Sequence, residues 1–286
     1  LLARAVSFGR MIKFSHSIFA LPFALTSLVL AAASGGVRPG QLLWILVAMV
    51  GARSAAMGVN RLADHELDAR NPRTATRELP RGALSRAEVW LFVCVAAAAL
   101  VVAAGMLNPL CLRLSPVALA IVFGYSYTKR FTALSHLFLG LALAVAPLGA
   151  WLAIRGSLDA VPLVLAGAVL LWVAGFDTIY ACQDVEFDRG EGLHSLPARL
   201  GIARALVIAR AFHAVCVVLL ASLYALAPLH PLYLGGVALV AALLAYEHSL
   251  VHADDLSRVD AAFFAVNGWV SVGYFAATAA ARWLTL

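Results

Sequence analysis

The chain has 286 residues, of which 63% are hydrophobic and only 13% charged, with a mean hydropathy of +0.91. Water-soluble domains carry about a quarter charged residues and lack apolar runs of about 20. A soluble enzyme or binding module is therefore excluded, and an all-α polytopic membrane protein is implied. The net charge of +6 reads as membrane topology and anion handling, with no nucleic-acid partner.

Nine stretches reach or approach the ~20 residues that span a bilayer. They are 16–34, 42–60, 87–107, 109–126, 134–154, 161–181, 203–227, 231–251 and 261–283. The first follows basic residues and ends in Ala31-Ala-Ala-Ser-Gly-Gly, the outline of a signal peptide, but its length and Pro22 argue against cleavage. The fourth is the weakest, because Asn108-Pro109, Arg113 and Pro116 crowd its start. Two polar stretches, about 61–88 and 182–204, each follow the second span of a group of four. This spacing predicts one domain built from duplicated four-helix modules, about 16–133 and 134–252, with a ninth helix at 261–283. The nine helices are expected to surround a central cavity under a cap made by the two loops. Fifteen Lys and Arg fall in the odd-numbered loops and four in the even-numbered ones. By the positive-inside rule this puts the N-terminus and both polar loops on the cytoplasmic side of a bacterial-type inner membrane.

The chemistry is concentrated in two acidic motifs. The first reads Asn60-Arg-Leu-Ala-Asp64-His-Glu-Leu-Asp68 and the second Asp177-Thr-Ile-Tyr180-Ala-Cys-Gln-Asp184-Val-Glu-Phe-Asp188. Residues four apart on a helix drift by only about 40°, so Asn60, Asp64 and Asp68 share a face of a helix that runs past the membrane edge. Asp177, Asp184 and Asp188 return to within roughly 20° of one line. Carboxylates beside a bilayer are costly and mark function. Two such stripes make an oxygen-rich site for Mg²⁺ and, through it, a diphosphate. Glu66, Glu78, Glu88, Glu186 and Glu191 read as solvated loop residues.

Other polar residues accompany the motifs. Arg53 lies seven residues before Asn60, on the same face, directed at an anion or held in an internal ion pair. Tyr125 and Lys129 are four apart at the end of the fourth span. With Arg130, Lys129 either neutralises a leaving diphosphate or anchors the helix end. Asp177 lies deeper than the other aspartates and could pair with Arg53 or orient Tyr180. His16, His136 and His194 read as packing or interfacial residues. The cysteines (94, 111, 182 and 216) read as packing thiols.

These stretches resemble the UbiA superfamily of intramembrane aromatic prenyltransferases. Asn60, Asp64 and Asp68 fit its NxxxDxxxD pattern and run on into Asn71-Pro-Arg73-Thr. Asp184 and Asp188 fit its DxxxD pattern, and Tyr125-Ser-Tyr-Thr-Lys129 its YxxxK pattern. Ile12–Ala24 is similar to the family's opening helix. The resemblance implies two Mg²⁺ ions held by Asp64, Asp68, Asp184 and Asp188 with Asn60 assisting. It implies Lys129, Arg130 and Arg73 balancing the charge of a polyprenyl diphosphate, with Arg53, Tyr125, Asp177 and Tyr180 in the substrate-binding set. The prenyl tail would leave sideways into membrane lipid.

The run from Asp177 to Gly201 is similar to the 4-hydroxybenzoate polyprenyltransferase-like subgroup, so an aromatic acid is the implied acceptor and quinone synthesis the implied pathway. Ser135-His136 stands where many 4-hydroxybenzoate enzymes show Pro-Gln, which keeps 1,4-dihydroxy-6-naphthoate as an alternative acceptor. CDP-alcohol phosphotransferases also use aspartates at the membrane edge, but in one segment rather than two motifs 120 residues apart. A secondary transporter is the non-enzyme alternative; its carboxylates would lie near the midplane rather than at helix ends.

Overall fold

The computed structural model describes residues 2–12, 17–32 and 36–285, so His16 lies outside the described residues. Among these the chain is helical, with no strand. Its α-helices are α1 (Leu2–Met11), α2 (Ser17–Ala31), α3 (Pro39–Ala63), α4 (His65–Arg70), α5 (Arg86–Leu107), α6 (Pro109–Thr128) and α7 (Ser135–Arg155). There follow α8 (Ala160–Ala181), α9 (Val185–Gly190), α10 (Leu196–Leu200), α11 (Ile202–Leu226), α12 (Leu232–Ser249), α13 (Val259–Ala261) and α14 (Asn267–Trp283). Among the described residues, eight helical segments are long and apolar enough to cross a membrane. The first expected span is shorter: α2 has 15 residues, about 22 Å of helix. The segment around 109–126 forms a full helix despite its two prolines. Pro109 opens α6, where its missing N–H costs nothing, and Asn108 Oδ1 accepts from the Cys111 N–H (2.8 Å).

Two compact units are present. The first holds Leu1–Ser17 and Arg38–Tyr127. Here α3 and α5 approach closely: a Cβ on Gly51 would stand 2.8 Å from the Ala96 carbonyl oxygen, the small-residue contact that lets membrane helices meet. Ser85 and Glu88 form a capping box at the start of α5, so Glu88 does more than meet solvent. Leu2–Met11, within the stretch expected as a basic loop, form α1, and Met11 and Ile12 bury against Val59, Leu62 and Val89.

The second unit holds Ile18–Val37 and Thr128–Leu286. Its centre is α8, where Leu165, Trp172, Val173 and Ile179 have no exposed surface. Gly140 of α7 lies against the Leu170 carbonyl and Gly175 of α8 against the His213 ring, and a Cβ would overlap at either position. Phe19 and Phe23 of α2 close the aromatic core around Trp172. A polar network runs through it. Trp172 Nε1 donates to Asn267 Oδ1 (2.6 Å), and Asn267 Nδ2 donates to Glu247 Oε1 (2.7 Å) and the Ala262 carbonyl (3.2 Å). The last bond takes up a carbonyl of the π-helical turn Ala262–Val266, the kind of backbone group that a π-turn leaves to be satisfied locally.

Candidate active site

In the first unit, Asn60 and Arg61 occupy the last turn of α3. Asp64 interrupts the helix with φ −95° and ψ 6°, in the sparsely populated bridge region that active-site residues often adopt. The expected unbroken helix from Asn60 to Asp68 is thus α3 and α4 joined through one non-helical residue. The hydrogen bonds nevertheless carry across: Asp64 N donates to Asn60 O (2.9 Å) and Asp68 N to Asp64 O (2.7 Å). Asn60 Nδ2 also donates to Asp64 Oδ2 (3.2 Å), so the motif's side chains remain together.

Asp68 is 6% exposed and lies among guanidinium groups. Arg77 Nη1 donates to its Oδ1 at 2.6 Å. Arg61 Nη1 lies 4.0 Å from Oδ2 and also donates to Asn60 Oδ1 (3.4 Å). Thr74 Oγ1 donates to the Asp68 carbonyl (3.0 Å). Asp68 Oδ2 is buried and accepts no hydrogen bond, and an unsatisfied buried carboxylate oxygen is costly. A hard divalent cation would satisfy this oxygen, so the Asp68 carboxylate fits Mg²⁺ as a ligand. Among the described residues no group of three or more His, Cys, Asp or Glu is placed so that it could hold a metal ion; arginines supply the positive charge beside Asp68. Arg73 is exposed, and its backbone N–H donates to Asn71 Oδ1 (2.9 Å). Arg53 Nη2 donates to the Ile12 carbonyl (3.4 Å). Tyr125 is half-buried in the last turns of α6.

In the second unit, α8 tightens into a 3₁₀ turn, Cys182–Asp184. Asp184 then takes φ −105° and ψ 8° before α9 begins. The first aspartate of each DxxxD pair therefore departs from α-helical geometry with nearly the same dihedral angles. Asp188 Oδ2 accepts from Ser195 Oγ (2.8 Å). Asp177 Oδ2 is met by His136 Nδ1 (2.7 Å), and Tyr180 packs at a tilt against Phe263 with ring centroids 4.3 Å apart. Lys129 and Arg130 are half-buried and lie in the turn after α6. Lys129 follows directly on the end of α6 at Thr128, where the fourth span was expected to end, and its carbonyl accepts from the His194 N–H (2.7 Å).

Four residues at these motifs escaped the sequence reading. Arg61 and Arg77 look like ordinary positive-inside charges until folding brings them to Asp68. Ser195 carried a usable signal, an N-cap serine with a proline following in the first turn. His136 carried none, because its partners are 41 and 60 residues away.

A profile of the UbiA prenyltransferase family matches residues 20–270. The chain is 34% identical over 253 residues to a 4-hydroxybenzoate octaprenyltransferase of Nitrosospira multiformis, covering 86% of this chain and 84% of that one. With the enzyme of that name from Methylococcus capsulatus the identity is 29% over 279 residues, covering 96% and 94%. Among solved structures, the apo UbiA homolog from Aeropyrum pernix K1 superposes with a TM-score of 0.83 at 36% identity, covering 92% of this chain and 96% of that one. A UbiA homolog from Archaeoglobus fulgidus bound to DMAPP and Mg²⁺ gives 0.73 at 20% identity, covering 97% and 99%, a likeness of fold.

Proposed function

Because the chain belongs to the UbiA prenyltransferase family, we propose that it transfers a polyprenyl group from a polyprenyl diphosphate to an aromatic carboxylic acid, 4-hydroxybenzoate first, in ubiquinone or menaquinone synthesis. The observation that carries this reading is the repeated acidic motif. Each lies at the end of an apolar helix and is entered through the same bridge-region aspartate, Asp64 or Asp184. The names of the bacterial relatives support the acceptor, and the Archaeoglobus homolog's ligands support the donor and metal.

Asp64, Asp68, Asp184 and Asp188, with Asn60, hold Mg²⁺ in this reading. When bound, the metal supplies the positive charge that makes diphosphate a good leaving group. Lys129, Arg130 and Arg73 take up the remaining negative charge on the diphosphate oxygens. Arg53, Tyr125, Asp177 and Tyr180 complete the substrate-binding set. The allylic C–O bond breaks, diphosphate departs with the bonding electron pair, and the electron-rich ring attacks the allylic carbon. The ring then loses the proton from the substituted carbon, restoring aromaticity. Apolar helices keep water from the allylic cation, and the prenyl tail extends into lipid. The basic-residue asymmetry supports an inner-membrane protein with the N-terminus and both motifs cytoplasmic.

A second acceptor, 1,4-dihydroxy-6-naphthoate, is favoured by Ser135-His136, where the 4-hydroxybenzoate subgroup often shows Pro-Gln. The experiment is prenyl transfer in membranes containing the chain, with polyprenyl diphosphate, Mg²⁺ and each acceptor in turn. Product with 4-hydroxybenzoate that EDTA abolishes supports the first reading, and product with the naphthoate alone supports the second. No product from either acceptor, or product insensitive to EDTA, refutes the assignment.

A further inference from the structure

His136 lies in the first turn of α7 and is 3% exposed, yet both ring nitrogens are engaged. Its Nε2 accepts from the Leu196 N–H (3.3 Å). That bond fixes the tautomer, so the ring proton sits on Nδ1 and is donated to Asp177 Oδ2 (2.7 Å). Leu196 opens α10, a five-residue helix too short to hold itself. Glycines with positive φ flank this segment, Gly192 at 66° and Gly201 at 84°.

External contacts therefore have to fix the segment. Ser135 Oγ donates to the His194 carbonyl (3.4 Å), and His194 N–H donates to the Lys129 carbonyl (2.7 Å). Leu193 N–H donates to the Asp188 carbonyl (2.8 Å). Ser195 Oγ accepts from Ala198 N–H (3.3 Å) and donates to Asp188 Oδ2 (2.8 Å). Residues 193–196 thus join the turn that carries Lys129 to the helix that carries Asp188.

We propose that His136 is a positioning residue for prenyl transfer: it clamps the 194–196 segment so that Ser195 orients the Asp188 carboxylate and His194 steadies the Lys129 turn. The inference rests on the function proposed above. His136 touches neither metal nor substrate in this scheme and acts through Leu196 and Ser195. Hydrogen-bonding partners one step behind a metal ligand are commonly worth about 10–100-fold in metal affinity or activity.

Two amide substitutions separate the clamp from mere volume. His136→Asn can reach Asp177 from the position of Nδ1 but falls short of Leu196, whereas His136→Gln extends to the position of Nε2. In the purified full chain, His136→Asn should raise the Mg²⁺ half-saturation and the diphosphate KM about 10-fold, with a smaller change in kcat. His136→Gln should stay within about 3-fold of the parent protein, well short of the loss expected when such a partner is removed.

Hydrogen exchange without metal or substrate gives a reading independent of activity. The amides of 193–200 should exchange faster in His136→Asn but not in His136→Gln, with α8 and α11 unchanged. Equal exchange in all three proteins, or an equal kinetic loss in both variants, overturns the proposal. If His136→Asn does not fold, Ser195→Ala cuts the link to Asp188 directly, and an unchanged Mg²⁺ half-saturation there overturns it as well. Absence of prenyl transfer in the parent protein would refute the functional reading, while the exchange comparison still decides the clamp.

Discussion

Asn267→Leu tests the polar network inside the second unit. Asn267, Trp172 and Glu247 have no exposed surface, and leucine keeps asparagine's branched side-chain skeleton while replacing its polar atoms with methyls, so the change removes all of its side-chain hydrogen bonds. Three bonds are lost, to Trp172 Nε1 (2.6 Å), Glu247 Oε1 (2.7 Å) and the Ala262 carbonyl (3.2 Å). Glu247 Oε2 already lacks a hydrogen bond, so the carboxyl group would keep none. Orphaning a buried polar group costs about 1–3 kcal/mol, which for the indole N–H and the carboxyl gives about 2–6 kcal/mol. Interhelical bonds in membranes average only about 0.6 kcal/mol, because the unfolded chain also finds partners in the bilayer. We therefore expect a loss of about 2–4 kcal/mol, between these two limits.

Reversible SDS unfolding from mixed micelles, followed by far-UV circular dichroism, would measure it. Trp172→Phe removes the donor alone, and the double variant should show a coupling of about 1 kcal/mol between the two sites. A cost below about 0.5 kcal/mol for Asn267→Leu, less than a single membrane hydrogen bond, or strict additivity of the two changes, would refute the view that this network holds the helices together.

Asp64→Ala and Asp184→Ala should each lower diphosphate release at least about 100-fold, the scale of losing one electrostatic stabiliser. Their SDS unfolding should match the parent protein, and retained turnover would remove those aspartates from the site. Lys129→Ala should raise the diphosphate KM about 10–100-fold, as for one charge-assisted hydrogen bond, and an unchanged KM would make Lys129 a helix anchor. Gly140→Val should force α7 away from the Leu170 carbonyl and cost about 1–3 kcal/mol by overpacking, read by the same unfolding assay.

The spans were legible because a bilayer demands long apolar runs, and only a helix satisfies its own backbone there. The stretches 87–107 and 134–154 appear as Arg86–Leu107 and Ser135–Arg155. The opening helix α1 was hidden because its charges matched a positive-inside loop, while its buried face shows only once Val59 and Leu62 are in place. The aspartates were legible by type and spacing. The breaks at Asp64 and Asp184 were not, since no glycine or proline marks either one. Arg61 and Arg77 show the same limit: composition reveals a cation, but only tertiary contact reveals that Asp68 is its partner.

The membership of α2 in the second unit bears on how the protein is made. Phe23 packs on Trp172, 149 residues later in the chain, and Ser27 Oγ donates to the Pro147 carbonyl (2.6 Å). At ribosomal speeds of about 5–20 residues per second, α2 waits roughly 7–30 s for those partners. During that interval the first unit is synthesised, while Thr26 and Ser27, both fully buried in the finished protein, must be sheltered by lipid, insertase or nascent neighbours. Biogenesis thus has an order in which an early helix docks only after the whole first unit has been made, and cutting the gene between the units would strand it in the wrong fragment.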